Sequence, residues 1–210
     1  MTDLGGQQRE HWEGVHRARP AMYGWEPSSA AVHAARVFAA AGAQVVLELG
    51  AGHGRDAAHF ARRGFRVLAG DFSAEGLVQL RARVPGVGAF VHDARDPLPL
   101  ATAGVDAAFA HMLLCMALST DEIRRLVGEV ARVLRPGGTF VYTARHTGDA
   151  HHGTGIAHGD DIYEQDGFAV HFFPRALVDG LAEGWVLAEV HPFEEGELPR
   201  RLWRVTQVLR

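Results

Sequence analysis

Apolar positions along this chain follow two periods in turn, short unbroken runs and stretches with apolar residues three or four apart, so strands and helices are expected to alternate. Val45-Val46-Leu47-Glu48-Leu49 is a short run closed by Gly50, Gly52 and Gly54, and Ala57, Phe60 and Ala61 follow at helix spacing. Strand, glycine turn, helix is the order implied. A second strand is predicted at 65–71, a helix at 74–84, a third strand at 87–91 and a fourth at 105–110, ending at His111. Ser119-Thr120-Asp121-Glu122 has the form of a capping box ahead of Ile123, Leu126, Val127, Val130 and Leu134. Arg135-Pro136-Gly137-Gly138 stops that helix, and strand character resumes at 139–143 and again at 185–190 and 202–209. Behind Pro27-Ser28, an alanine-rich helical stretch ends near Gly42. Seven strands with interleaved helices make an α/β chain.

The glycine run carries the first chemistry. Glycines there let the backbone turn sharply and let a ligand approach closely, while the helix start offers free amide groups. A dinucleotide fingerprint needs a third glycine where Arg55 stands. With Glu48 two residues ahead, the segment reads E-x-G-x-G-x-G instead, which resembles the first motif of class I S-adenosylmethionine-dependent methyltransferases. The helix, R-P-G-G, strand succession is also similar to that family, and the likeness runs from about Trp12 to Arg210.

The resemblance implies a Rossmann-like, mostly parallel sheet of seven strands in the order 3-2-1-4-5-7-6, the seventh antiparallel, with helices on both faces. It also implies S-adenosylmethionine as cofactor, held by Glu48, Gly50, Ala51 and Gly52, by Asp71 and Phe72, by Asp93 and Ala94, and by His111. Asp71 ends the second strand about 20 residues after Gly50, where a carboxylate reaches ribose hydroxyls, although it also precedes a helix that it or Ser73 could cap. Asp93 would accept from the adenine amine and Ala94 would offer its backbone N–H to a ring nitrogen; alternatively, Asp93 or Asp96 shapes the turn before Pro97.

Composition narrows the picture. At 210 residues and 47% apolar, without a low-complexity linker, one domain over 1–210 is expected. The formal charge of -4 and the lack of a basic stripe argue against nucleic acid as partner. All 21 basic residues are arginine, which excludes a Schiff-base lysine and a phosphate-loop lysine. The single cysteine, Cys115, lies in an apolar run and reads as core, and with no signal or membrane-spanning segment the expected location is cytoplasmic.

The acceptor side is drawn from two stretches. In the aromatic segment 1–27, Trp12, His16, Tyr23 and Trp25 could form a lid facing the sulfonium by cation–π attraction, or simply pack that segment down. The W…Y-G-x-x-P-S pattern resembles the tellurite-resistance-like subgroup of these methyltransferases. The second stretch, 145–171, is rich in histidine and glycine without clear periodicity and is expected to be an irregular insertion over the site. General-base residues, a metal site and a solvated loop compete for it; no closed ligand spacing supports metal, so none is expected. His146 and His151 are the candidate bases, and Arg145 and Tyr163 join Trp12 and Tyr23 as candidate acceptor contacts. One cysteine disfavours metalloid capture, and Ala110-His111-Met112-Leu113 lacks the signature for exocyclic base amines. A small-molecule acceptor through oxygen, nitrogen, sulfur or chalcogen is expected, ahead of a non-catalytic sensor of S-adenosylmethionine or S-adenosylhomocysteine and of a nicotinamide oxidoreductase.

Overall fold

Strict alternation in the central strands sends successive side chains to opposite faces of one sheet, and each face has its own core. The computed structural model describes residues 4–19, 22–196 and 200–210, so 1–3 and 20–21 of the aromatic segment lie outside the described residues. In chain order the elements are α1 (Leu4–Ala18), α2 (Ser29–Ala40), β1 (Val45–Leu49), α3 (Arg55–Arg62), β2 (Arg66–Asp71), α4 (Ala74–Arg83), β3 (Gly88–Val91), β4 (Val105–His111), α5 (Thr120–Val133) and β5 (Leu134–Arg145). There follow β6 (Ile156–Gly159), β7 (Ile162–Gln165), β8 (Phe168–His171), α6 (Arg175–Leu181), β9 (Trp185–Glu195) and β10 (Arg200–Leu209).

Val46, Ala107, Phe109 and Val141 meet Phe38 of α2, Phe60 of α3 and Leu77 and Leu80 of α4 on one face. Leu47, Leu49, Ala108, Phe140 and Tyr142 meet Ile123, Leu126 and Val130 of α5 and Val178 and Leu181 of α6 on the other. The sheet runs β3-β2-β1-β4-β5-β10-β9, with β10 antiparallel to both neighbours. This is the expected order. Because β1 is followed by β2 on one side and has β4 on the other, strand order reverses beside β1, where α/β sheets open a crevice at their carboxyl ends. Register aligns Leu49 with Gly70 and with Ala110, so Gly50, Asp71 and His111 share that edge.

Two expectations need correction, at Leu134 and at 145–171, and one element was not foreseen. Leu134 belongs to β5 rather than to the preceding helix, and Arg135–Gly138 lie within the extended strand. The aromatic segment contains a helix, α1, which its weak apolar pattern did not announce. Residues 145–171 are not an irregular insertion: β6, β7 and β8 form a three-stranded antiparallel sheet. Its strands are four residues long, and β6 is exposed throughout, so no alternation marks it. Its turns are nonetheless chemically explicit. Asp160 and Asp161, then Asp166 and Gly167, all have positive φ, the geometry of two-residue hairpin turns. Among the described residues no helix is long and apolar enough to cross a membrane.

Candidate active site

The glycine loop is built by close approach. A Cβ on Gly54, which has φ +87° and precedes α3, would lie 2.6 Å from Leu80 Cγ, so only glycine lets α3 and α4 come together here. Gly50 and Ala51 both donate to Gly70 O, tying the loop to β2. Gly52 N–H donates to Asp71 Oδ2 at 2.8 Å while Asp71 Oδ1 accepts from Ser73 N–H at 2.8 Å. Each carboxylate oxygen keeps a second lone pair. Ser73 caps α4 through Gly76 N–H, so the capping role falls to Ser73 and leaves Asp71 at the loop.

Beneath the loop, Glu48 is buried and its Oε2 has no hydrogen-bond partner among the described residues. Burial, and behind it the charges of Asp56 and Asp71, push its carboxyl well above the ordinary carboxylate range against the pull of Arg55. Asp56 is already engaged, accepting from Ser28 N–H at 2.7 Å and Ser28 Oγ at 2.9 Å.

These groups line a cavity of about 370 Å³. Glu48, Gly50, Ala51, Gly52, Asp71, Phe72 and His111 of the expected cofactor residues border it, as do Trp12 and Tyr23. Asp93 and Ala94 do not: Asp93 pairs with Arg9 of α1 at 2.8 Å and with Arg95 at 3.2 Å, and Ala94 packs against the core. Trp25 also stands outside the lining, between the edge of His53 and the guanidinium of Arg83, 3.6 Å from the ring centre.

The two candidate bases are elsewhere. His146 stacks on Trp203 at 4.4 Å and accepts from Gly148 N–H. His151 Nδ1 accepts from Arg145, whose guanidinium also makes a buried pair with Asp149. Arg145, His151 and Tyr163 border a separate void of about 20 Å³ that shares only Phe168 with the main cavity. Among the described residues no three histidine, cysteine or carboxylate side chains gather as a metal site. Cys115 is buried, its thiol pushed up to about 11 by burial, and it is no nucleophile.

His16, read as part of a possible lid, borders the cavity, whereas sequence reading gave no site role to His53, Arg55, Met112, Phe168, Glu195 and Arg200, which border it too. Only Arg55 had attracted notice, as a non-glycine. Glu195 and Arg200 face each other at the end of the β9–β10 pair, more than 140 residues from the glycine loop, with no local signal. Glu195 Oε2 lies 3.3 Å from His111 Nε2 and its Oε1 lies 3.8 Å from Arg55. Burial raises its carboxyl, but His111, Arg55 and Arg200 together outweigh that and hold it below the ordinary value.

Residues 46–138 match a family model described as a methyltransferase domain. Uncharacterized methyltransferases of Mycobacterium tuberculosis and Mycobacterium bovis are 41% identical over 98 residues, which is 47% of this chain and 38% of each relative, so the match spans well under half of their length. Among solved structures, the Burkholderia thailandensis 1,6-didemethyltoxoflavin-N1-methyltransferase, with S-adenosylhomocysteine bound, superposes with a TM-score of 0.74 at 20% identity, covering 98% of this chain and 88% of that one. The fold is that of S-adenosylmethionine-dependent methyltransferases. The N-methyltransferase NodS of Bradyrhizobium japonicum, also with S-adenosylhomocysteine, gives 0.70 at 12% identity over 97% of this chain and 98% of that one. At these identities the solved structures share the methyltransferase fold with this chain across nearly its whole length.

Proposed function

We propose that this chain transfers a methyl group from S-adenosylmethionine to a small-molecule acceptor. The observation that carries the reading is the partnerless Glu48 oxygen, buried under a glycine loop in the same cavity as the Asp71 carboxylate. A buried carboxylate oxygen without a partner costs about 1–3 kcal/mol, and a donor or cation on the ligand relieves that cost. Asp71 would accept from ribose hydroxyls with its remaining lone pairs, and the aromatic faces of Trp12, Tyr23 and Phe72 would shield a cation from water. When bound, the cofactor supplies an electrophilic methyl group on a positively charged sulfur. The rest is alignment and exclusion of water, which the mostly apolar wall of Met112, Leu113, Met116 and Phe168 favours.

Oxygen, nitrogen, sulfur and chalcogen acceptors all fit this reading. The finer likeness to the tellurite-resistance-like subgroup rests on the W…Y-G-x-x-P-S pattern, whose Trp12 and Tyr23 border the cavity. Isothermal titration with S-adenosylmethionine, S-adenosylhomocysteine and NAD tests the proposal: the first two should bind and NAD should not. Asp71→Ala should weaken S-adenosylhomocysteine binding about 10-fold to 100-fold through the loss of charge-assisted bonds. Binding of NAD alone overturns the reading. Formation of S-adenosylhomocysteine with an acceptor panel then separates an enzyme from a sensor.

A further inference from the structure

At the side of the cavity opposite the glycine loop, two cations, Arg55 and Arg200, and the ring of His111 gather around the one carboxylate of Glu195. Arg200 opens β10 opposite Glu195 and lines the cavity, and among the described residues its side chain makes no direct hydrogen bond or ion pair. A guanidinium keeps its charge and presents five donors, and a half-buried one left unpaired is costly. Neighbouring carboxylates are already committed. Glu195 is shared between His111 at 3.3 Å and Arg55 at 3.8 Å, and Asp56 is held by Ser28. Arg55 is turned by its bond to Tyr23 O at 3.2 Å, with its guanidinium 5.4 Å from the centre of the Tyr23 ring.

His111 holds Glu195 at this end. Thr143 Oγ1 accepts from Met112 N–H at 3.0 Å, which leaves its own hydrogen for His111 Nδ1 at 2.9 Å. The neutral ring then carries its proton on Nε2, the nitrogen facing Glu195. Met112, Met116 and Phe168 bound the space alongside with apolar surface.

We propose that Arg200, beside Arg55, binds an anionic oxygen group, such as a carboxylate, carried by the methyl acceptor on an otherwise apolar body. This rests on reading the cavity as a methyltransferase site. A carboxylate could also come from the amino-acid part of the cofactor, but the topology favours the acceptor. Glu48, the glycine loop and Asp71 sit at the ends of β1 and β2, whereas β10 lies three strands from β1, about 14 Å at ordinary strand spacing. Arg200 reaches the cavity from that side.

The test titrates the protein saturated with S-adenosylhomocysteine with benzoate, phenylacetate, inorganic phosphate and, as neutral control, benzyl alcohol. An aromatic carboxylate should bind at millimolar concentration or below, more weakly as salt is raised, and at least about tenfold more tightly than benzyl alcohol. Arg200→Ala and Arg200→Gln should both lose about tenfold or more of that affinity while keeping the parent melting temperature and S-adenosylhomocysteine affinity. Equal carboxylate binding in parent and variants, or no anion binding by the parent, overturns the proposal. If the variants instead lose affinity for S-adenosylhomocysteine but not for 5′-methylthioadenosine, Arg200 holds the cofactor's carboxylate and the acceptor assignment fails. A parent that binds no S-adenosylhomocysteine rejects the methyltransferase reading first, and this proposal with it.

Discussion

Glu48 occupies a position in β1 where both neighbours in the sheet, Ala69 and Phe109, are apolar, and packing alone would favour a hydrophobic side chain. Its carboxyl is raised by burial above the value it has in the unfolded chain. The linkage sign follows from that shift: the contribution to stability is complete below the ordinary carboxylate value and is lost as pH rises through the raised one. Glu48→Gln removes the charge and keeps the shape. The variant should melt above the parent at neutral and alkaline pH, with a flatter pH dependence. Recovering about 1 kcal/mol corresponds to about 2–4 °C in a chain of this size. The same variant should bind S-adenosylmethionine more weakly and release fewer protons on binding, which titration in buffers of different ionisation enthalpy measures. A variant that is less stable at all pH values would mean that the carboxylate is a structural group. Glu48 and Asp71 stood out in the sequence because one interrupts an apolar run and the other ends one, at the places where the family resemblance expects a carboxylate. Glu195 and Arg200 did not, because charged residues at the end of a hairpin are unremarkable until the fold brings them to a cavity.

At the level of elements, legibility tracked how far each segment's own pattern decides its structure. The helix at 120–133 announced itself by its capping box, and the structure forms both halves of it, Ser119 N–H to Glu122 Oε2 at 2.8 Å and Glu122 N–H to Ser119 Oγ at 3.3 Å. The small sheet is the opposite case: its strands owe their form to what they dock against. Gln8 of α1 donates to Gly167 O at 2.7 Å and accepts from Ala169 N–H, and His171 bonds Cys115 O and Leu118 O. The turn at Asp166-Gly167 was the stronger of two local signs, a pair that strongly favours a hairpin with both residues at positive φ. Gly167 has φ +79° and open space around its Cα, so substitution there tests backbone conformation without a clash. Gly167→Ala should cost about 1–2 kcal/mol and increase hydrogen exchange in 162–171 and in α1 together. Because Phe168 follows the turn and borders the cavity, cofactor affinity should fall as well. Unchanged exchange in α1 would show that the helix is held by Glu13 at Ser73 and Ala74 and by Arg9 at Asp93 rather than by the small sheet.

Across the whole molecule, the cavity is assembled from parts distant in the chain: a floor of strand ends from β1, β2 and β4, a wall from the β9–β10 pair, and a roof in which Trp12 of α1 meets Phe168 of β8 edge-on at 5.5 Å. The floor could be read from sequence because each parallel strand and its helix show a local pattern, and the strand order came from the family resemblance that the glycine motif carries. The wall and roof could not, because they depend on which distant segments come to share the sheet edge. Such an arrangement makes ligand binding a property of the complete fold, and so a reporter of it. If α1, the small sheet and the main sheet unfold together, calorimetry should give a single transition with a van't Hoff enthalpy equal to the calorimetric one. S-adenosylhomocysteine at 100 times its dissociation constant should then raise the midpoint of that whole transition, by about 2.7 kcal/mol or roughly 5–11 °C. Two transitions, of which only one responds to ligand, would mean that the roof folds separately from the floor. The cavity would then close only after the cofactor has bound to the glycine loop, and Gly167→Ala would alter the rate of cofactor release more than its affinity.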